Sequence, residues 1–252
     1  MAEFVEGSVL VVDDDYDAGQ NLGDILSDLG YGVHVSTDPF VALEIAHSYN
    51  FEIALLDLKM PGMDGLSLAR KLKELCNSTI VLLTTAYADR ETLQLARSHG
   101  IWRVFPKPLD IQRIIPSLAE IIRQPLVLLI EDDADQCHSL TDVLQDQGYR
   151  VCFATDIERA MSLLRGTKFH LVLIDMKLPD GFGDEVYQKV RGVSKKARVV
   201  MITGYRTEMQ DRIESSLKAG ADAVCYKPFQ ILELLEILKQ LTSVNSEHGT
   251  GN

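Results

Sequence analysis

Ile53-Ala54-Leu55-Leu56-Asp57-Leu58-Lys59-Met60-Pro61 returns as Leu171-Val172-Leu173-Ile174-Asp175-Met176-Lys177-Leu178-Pro179, a shift of 118 residues. Four apolar residues closed by an aspartate, with a proline four further on, read as a buried strand running into a turn. Two neighbouring segments repeat with it. Val9-Leu10-Val11-Val12-Asp13-Asp14-Asp15 returns as Val127-Leu128-Leu129-Ile130-Glu131-Asp132-Asp133, and Ile80–Tyr87 returns as Arg198–Tyr205, both shifted by 118. Lys107-Pro108 returns as Lys227-Pro228 at a shift of 120, so two residues are inserted between Tyr205 and Lys227. Order and spacing persist while the intervening sequence diverges, which marks a duplicated domain and not a short solenoid repeat.

Within the first copy, the apolar runs Val9–Val12, Gly32–Val35, Ile53–Leu56, Ile80–Leu83 and Arg103–Phe105 alternate with amphipathic stretches. Leu22, Ile25, Leu26 and Leu29 have helical spacing and are stopped by Gly30; Leu140, Val143 and Leu144 before Gly148 repeat the pattern. Asp38 stands at an N-cap before Pro39. Five strands alternating with five helices, twice, predict two α/β domains, each a doubly wound (βα)5 unit around a parallel sheet covered on both faces. The expected domains are 6–124 and 125–241, followed by a polar, disordered tail at 242–252. Pro116 should kink or restart the last helix of the first domain. With no Gly/Ser linker before Pro125, the two domains are expected to hold a fairly fixed mutual orientation.

The chain has 252 residues, enough for two domains of ordinary size. Its net charge is −12, from 10 basic against 18 acidic residues before Pro125 and 15 against 19 after it. Both halves are acidic and neither has a Lys/Arg run, so no nucleic-acid partner is expected. Cys76, Cys137, Cys152 and Cys225 show no paired spacing, as suits a reducing compartment. No signal segment or apolar run of bilayer-spanning length is present, so the expectation is a cytoplasmic protein with no membrane contact. The six histidines lack zinc-ligand spacing, and His34, His47 and His170 are expected to do no chemistry. Gly181-Phe182-Gly183 follows the third strand and is not a dinucleotide fingerprint.

In an open parallel sheet, ligands bind beyond the carboxyl ends of the strands, where the strand order switches. In the flavodoxin-like order 2-1-3-4-5, the acid pair Asp13–Asp14 ends strand one beside Asp57 at the end of strand three. Three converging carboxylates repel one another unless a hard cation joins them, and oxygen donors suit Mg²⁺. Thr85 ends strand four and Lys107 ends strand five, adding a hydroxyl and an ammonium. A metal, a lysine and a hydroxyl around one carboxylate suit phosphoryl transfer onto that carboxylate. Singly, these residues read as a solvated acidic loop or cap, a turn aspartate, a strand-end hydroxyl and a surface lysine. Jointly, they each end the proper strand, in order, twice.

On these motifs the chain resembles the receiver domain of two-component response regulators, over residues 6–124 and again over 125–241. The resemblance implies that Asp57 and Asp175 accept phosphoryl groups from a histidine kinase or a histidine phosphotransfer protein. It implies Mg²⁺ held by Asp14, Asp57 and the Lys59 carbonyl, with Asp13 acting through water; the second set is Glu131, Asp132, Asp175 and the Lys177 carbonyl. Thr85 and Lys107, or Thr203 and Lys227, would grip the phosphoryl oxygens, and the Lys-Pro bonds would be cis. Signalling would run through protein contacts to a separate output protein, with no DNA-binding domain and no enzymatic activity beyond self-catalysed phosphotransfer and autodephosphorylation. Receivers of this family commonly dimerise through the face of helix four, strand five and helix five, which admits a homodimer, but in the first unit that last helix leads into the second domain and stands in the way of such pairing.

Two departures stand out. Val104 and Val224 occupy the positions, three before the lysine, where the family often places an aromatic switch. Lys59 and Lys177 follow the acceptors by two, and Tyr87 and Tyr205 follow the threonines by two, so the tyrosine rings are expected to shield the phosphoryl group. An Mg²⁺-dependent aspartyl-phosphate phosphatase is the enzymatic alternative, but it wants an acid where Lys59 and Lys177 stand. A scaffold with one inactive receiver is the structural alternative, and no motif marks either half as dead. A third possibility is that these residues form the receiver part of a longer regulator or hybrid kinase.

Overall fold

The computed structural model describes residues 7–75, 78–179, 181–204 and 210–243. Contacts divide the chain into two compact units at the Gln124–Pro125 bond. The first unit comprises β1 (Ser8–Val12), α1 (Tyr16–Asp28), β2 (Gly32–Ser36), α2 (Pro39–Ser48), β3 (Ile53–Asp57), α3 (Gly65–Leu75), β4 (Ile80–Thr85), α4 (Arg90–Ser98), β5 (Arg103–Pro106) and α5 (Ile111–Arg123). Its strands are all parallel, in the order β2-β1-β3-β4-β5.

The period-2 alternation of each strand sorts the core into two layers. Leu10, Val12, Ala54, Leu56, Val81 and Leu83 pack with Ala42 of α2 and Leu68 and Leu72 of α3. Val9, Val11, Ile53, Leu55 and Leu82 pack on the other face with Leu22 and Leu26 of α1 and Ile114, Leu118 and Ile121 of α5. Both faces are therefore covered, as a parallel sheet requires.

Two helices differ from the sequence expectation. In α1, Leu22 and Leu26 are buried, but Ile25 and Leu29 are 37% and 40% exposed. The buried stripe is completed by Gly19 and Gly23. A Cβ at Gly23 would stand 2.5 Å from Val35 Cγ2, so glycine lets the helix lie directly on β2. The α5 helix runs unbroken through Pro116 and is not restarted. Pro116 lies on its exposed side, where water can satisfy the carbonyl the ring leaves unbonded, and the Ser117 hydroxyl donates to the Arg113 carbonyl at 3.0 Å.

The second unit comprises β6 (Leu126–Ile130), α6 (Ala134–Asp146), β7 (Arg150–Ala154), α7 (Ile157–Gly166), β8 (Leu171–Asp175), β9 (Lys177–Leu178), β10 (Gly181–Phe182), α8 (Gly183–Val193), β11 (Arg198–Thr203), α9 (Gln210–Lys218), β12 (Ala223–Tyr226) and α10 (Ile231–Ser243). Its parallel sheet has the order β7-β6-β8-β11-β12, the same topology as the first. A two-stranded antiparallel ribbon, β9 with β10, is added in the loop after β8. Thr242 and Ser243, expected in the polar tail, continue α10, the Thr242 hydroxyl donating back to the Leu238 carbonyl at 2.9 Å. Cys76, Tyr205 and residues 244–252 lie outside the described residues. No helix among the described residues is long and apolar enough to cross a membrane.

Candidate functional site

Because β1 and β3 are adjacent, Asp13, just past β1, and Asp57, the last residue of β3, meet at the carboxyl end of the sheet. Lys107 reaches them from the end of β5. Its backbone N–H donates to the Thr85 carbonyl at 2.8 Å, and the following bond to Pro108 is cis. The Lys107 Nζ lies 2.7 Å from Asp13 Oδ2 and 2.8 Å from Asp57 Oδ2. The other oxygens are held by backbone: Asp13 Oδ1 accepts from the Asp15 N–H and Asp57 Oδ1 from the Lys59 N–H. The third acid of the run, Asp15, is the N-cap of α1 and accepts from the Ala18 N–H.

The second unit repeats the arrangement with one longer acid. Lys227 Nζ lies 2.5 Å from Glu131 Oε2 and 2.6 Å from Asp175 Oδ2, and Asp175 Oδ1 accepts from the Lys177 N–H at 2.9 Å. Lys227–Pro228 is also cis, and the Lys227 N–H donates to the Thr203 carbonyl at 2.7 Å. A cavity of about 360 Å³ opens over the site, lined in part by Glu131, Asp132, Asp175, Gly204 and Lys227.

Burial sets the electrostatics. It raises the Asp13 pKa above the usual carboxylate value despite the pull of Lys107. Glu131 is pushed up to about 7 by burial, with the Asp175 charge adding to the shift and Lys227 opposing it. Burial alone would lower both lysines, but their hydrogen bonds to the paired acids prevail and hold each above the ordinary lysine value.

Carboxylate oxygens of Asp13, Asp14 and Asp57 come within 4.8 Å of one another, with Asp13 and Asp57 buried and Asp14 exposed. An all-oxygen set of this kind, open to water on one side, fits a hard divalent cation such as Mg²⁺. Glu131, Asp132 and Asp175 are not gathered to the same closeness.

Thr85 is 1% exposed at the end of β4. Its hydroxyl both donates to the Tyr87 carbonyl and accepts from the Tyr87 N–H, each at 3.2 Å, so it secures the β4–α4 turn beside the site. Thr203 is fully buried at the matching place on β11. Tyr87 is 68% exposed, with the Lys59 ammonium 5.3 Å from the centroid of its ring. The three histidines set aside by sequence serve the fold: His34 packs on Tyr49 and Phe51, His47 bonds the Leu43 carbonyl, and His170 Nδ1 accepts from the Leu126 N–H.

Sequence reasoning missed two kinds of residue. Gly65 and Gly183 open α3 and α8 directly against the backbone of the two aspartates; a Cβ there would stand 2.3 Å from the Asp57 carbonyl oxygen and 2.6 Å from that of Asp175. Their common shift of 118 was a readable signal. Gln136, whose amide oxygen lies 3.2 Å from Lys227 Nζ, had none, since the first copy carries Ala18 there.

The family described as response regulator receiver domain matches residues 9–119 and 127–239. A response regulator receiver protein of Anaeromyxobacter sp. (strain Fw109-5) is 30% identical over 232 residues, covering 92% of this chain and 94% of the relative. Sporulation initiation phosphotransferase F of Bacillus subtilis (strain 168) is 31% identical over 106 residues, 42% of this chain and 86% of the relative. Among solved structures, a CheY-like receiver domain protein from Methanospirillum hungatei JF-1 has 31% identity and a TM-score of 0.46, covering 49% of this chain and 98% of its own.

Proposed function

The chain belongs to the response regulator receiver family, twice over, and is thereby a two-component signalling protein; from that premise we propose that Asp57 and Asp175 each accept a phosphoryl group from phosphohistidine on a kinase or phosphotransfer protein. The observation that carries this reading is the repeated lysine bridge. In both units one ammonium spans the acceptor aspartate and the first acid after the first strand of the sheet.

An aspartate oxygen attacks phosphorus, and the phosphohistidine nitrogen leaves with the bonding electron pair. Lys107 or Lys227 turns an N–H from the aspartate to a phosphoryl oxygen, offsetting negative charge in a half-buried pocket where it is poorly screened. The Lys59 and Lys177 N–H groups keep the other aspartate oxygen fixed, so the nucleophile enters with its orientation set. Asp13, Asp14 and Asp57 would hold Mg²⁺ in the first unit; in the second, where the three carboxylates are less closely gathered and Glu131 stays on Lys227, Asp132 and Asp175 would hold it. There it would supply positive charge to the phosphoryl oxygens.

Output by protein contact fits the acidic balance of both halves, which disfavours a phosphate-backbone partner. The phosphotransferase name of one relative supports a place in a relay. Catalysis is confined to the protein's own phosphorylation and dephosphorylation, since Lys59 and Lys177 stand where an aspartyl-phosphate phosphatase carries its second acid.

Acetyl phosphate with Mg²⁺, followed by intact mass, tests the reading. Two phosphoryl groups are expected on the wild type, one on Asp57→Ala or Asp175→Ala and none on the double variant. Uptake that survives in the double variant would overturn both assignments.

A further inference from the structure

The two lysine bridges are not equivalent. In the first unit Lys107 is bonded to Asp13 and Asp57; in the second, Lys227 is bonded to Glu131, Asp175 and also the Gln136 amide oxygen at 3.2 Å. An ammonium has three N–H donors, so these three acceptors match them one to one. The direction of the Gln136 amide is fixed by its neighbours. Its Nε2 donates to Asp133 Oδ2 at 2.9 Å, while Asp133 Oδ1 caps α6 by accepting from the Asp135 and Gln136 N–H groups. Flipping the amide would set an NH₂ against an ammonium and a carbonyl against a carboxylate.

We infer that Gln136 is a positioning residue for phosphorylation of Asp175, seating the Lys227 ammonium so that one N–H is delivered to the incoming phosphoryl group. The inference rests on the phosphoacceptor reading above. In the reaction an Asp175 oxygen bonds to phosphorus. With acetyl phosphate, the P–O bond to the acetyl group breaks and acetate leaves with its electron pair. Negative charge moves from the Asp175 carboxylate onto the leaving acetate, and the three phosphoryl oxygens keep theirs. The N–H that Lys227 gave to Asp175 Oδ2 is then free for a phosphoryl oxygen, while Glu131 and Gln136 keep the other two seated.

The first unit lacks this seat because Ala18 occupies the matching place. Ala18 and Lys107 line one cavity of about 320 Å³, which has room for a longer side chain, and Asp15 is the matching cap that would orient it.

The experiment uses the full chain. In an Asp57→Ala background, phosphorylation at Asp175 by acetyl phosphate is timed for Gln136, Gln136→Ala and Gln136→Met. Loss of one exposed, charge-assisted hydrogen bond predicts a rate about three- to fivefold lower in both variants. The Lys227 ¹⁵Nζ resonance, recorded without metal, should shift with it, while the melting temperature stays put. In an Asp175→Ala background, Ala18→Gln should speed uptake at Asp57, which a merely structural role for Gln136 could not do. Unchanged or faster uptake in Gln136→Ala and Gln136→Met would overturn the inference while leaving the phosphoacceptor reading intact. No uptake at Asp175 even with Gln136 in place would overturn both.

Discussion

Gly65 touches the residue it helps to present: its Cα lies so near the backbone of Asp57 that a Cβ would stand 2.3 Å from the Asp57 carbonyl oxygen. The Gly65 N–H donates to the Leu58 carbonyl at 2.9 Å, so the β3–α3 loop closes directly behind the acceptor. Gly65→Ala must push that loop away. The expected cost is about 2–3 kcal/mol in the first unit, with a loss of uptake at Asp57 of roughly tenfold or more. Uptake at Asp175 serves as the internal control, and full uptake at Asp57 in Gly65→Ala would refute the argument.

Lys107 neutralises two buried acids, Asp13 and Asp57. Lys107→Met keeps the apolar stem and removes the charge, leaving two carboxylates in a shared, poorly hydrated site. The loss in chelator should be about 1–3 kcal/mol in the first unit. Mg²⁺ can replace the missing positive charge, so it should raise the variant's melting temperature more than the wild type's. Equal Mg²⁺ effects, read by calorimetry, would show that the acids do not depend on the lysine for neutralisation.

The sheet and its acid and lysine corners were legible because they are set by short-range pattern: apolar runs of strand length, each ended by a polar residue, repeated at one shift. What escaped depended on contacts between elements. Ile25 and Leu29 have the spacing of a buried face, yet Gly19 and Gly23 bring α1 so close to β2 that the leucine and isoleucine fall outside the covered stripe. The β9–β10 ribbon rests on two residues per strand, too few for any period to show. Gln136 is an exposed polar residue on a helix, and only the position of Lys227 beside it gives it meaning.

Lys73 and Arg191, related by the same shift of 118, do one job with different chemistry. Lys73 Nζ donates to the His99 carbonyl and, at 2.5 Å, to the Gly100 carbonyl, closing the end of α4. Arg191 donates to the Gly220 carbonyl at the end of α9, to the Ala197 carbonyl and to Asp222 Oδ2. Burial lowers the Lys73 pKa, so its ammonium is held at some desolvation cost and contributes less. Lys73→Met should cost about 1 kcal/mol in the first unit, and Arg191→Met about 2–4 kcal/mol in the second. Chemical denaturation of the two variants would check the order, and equal losses would contradict it.

Cys137 and Cys225 are buried, and burial pushes their thiols up to about 12 and about 11. A raised thiol pKa means less thiolate at any given pH. At pH 8 the Cys137 thiolate is about one part in ten thousand. Iodoacetamide should therefore spare both in the native protein and label both after unfolding, as peptide mass mapping would read. Native labelling of either would mean that its helix or strand opens readily.

Tyr87 offers the last test, because its backbone and its ring do different things. The backbone is locked to Thr85 Oγ1 on both its N–H and its carbonyl, so the side chain leaves the turn from a fixed point. The residue is mostly exposed, and its ring carries the Lys59 ammonium 5.3 Å from its centroid. Lys59 follows Asp57 by two residues, and the shielding expected from the sequence is that ring and ammonium together cover one approach to the acceptor. Removing the ring opens that approach to water and frees Lys59, whose attraction to an aromatic face is worth about 0.5–1 kcal/mol at an exposed site. Tyr87→Ala should then shorten the lifetime of the phosphoryl group on Asp57 about two- to fivefold, while Tyr87→Phe, which keeps the face, should leave it unchanged. The half-life, followed by intact mass after removing the donor, decides between shielding and bystander. An unaltered half-life in Tyr87→Ala would leave the ring with no part in protecting the acyl phosphate.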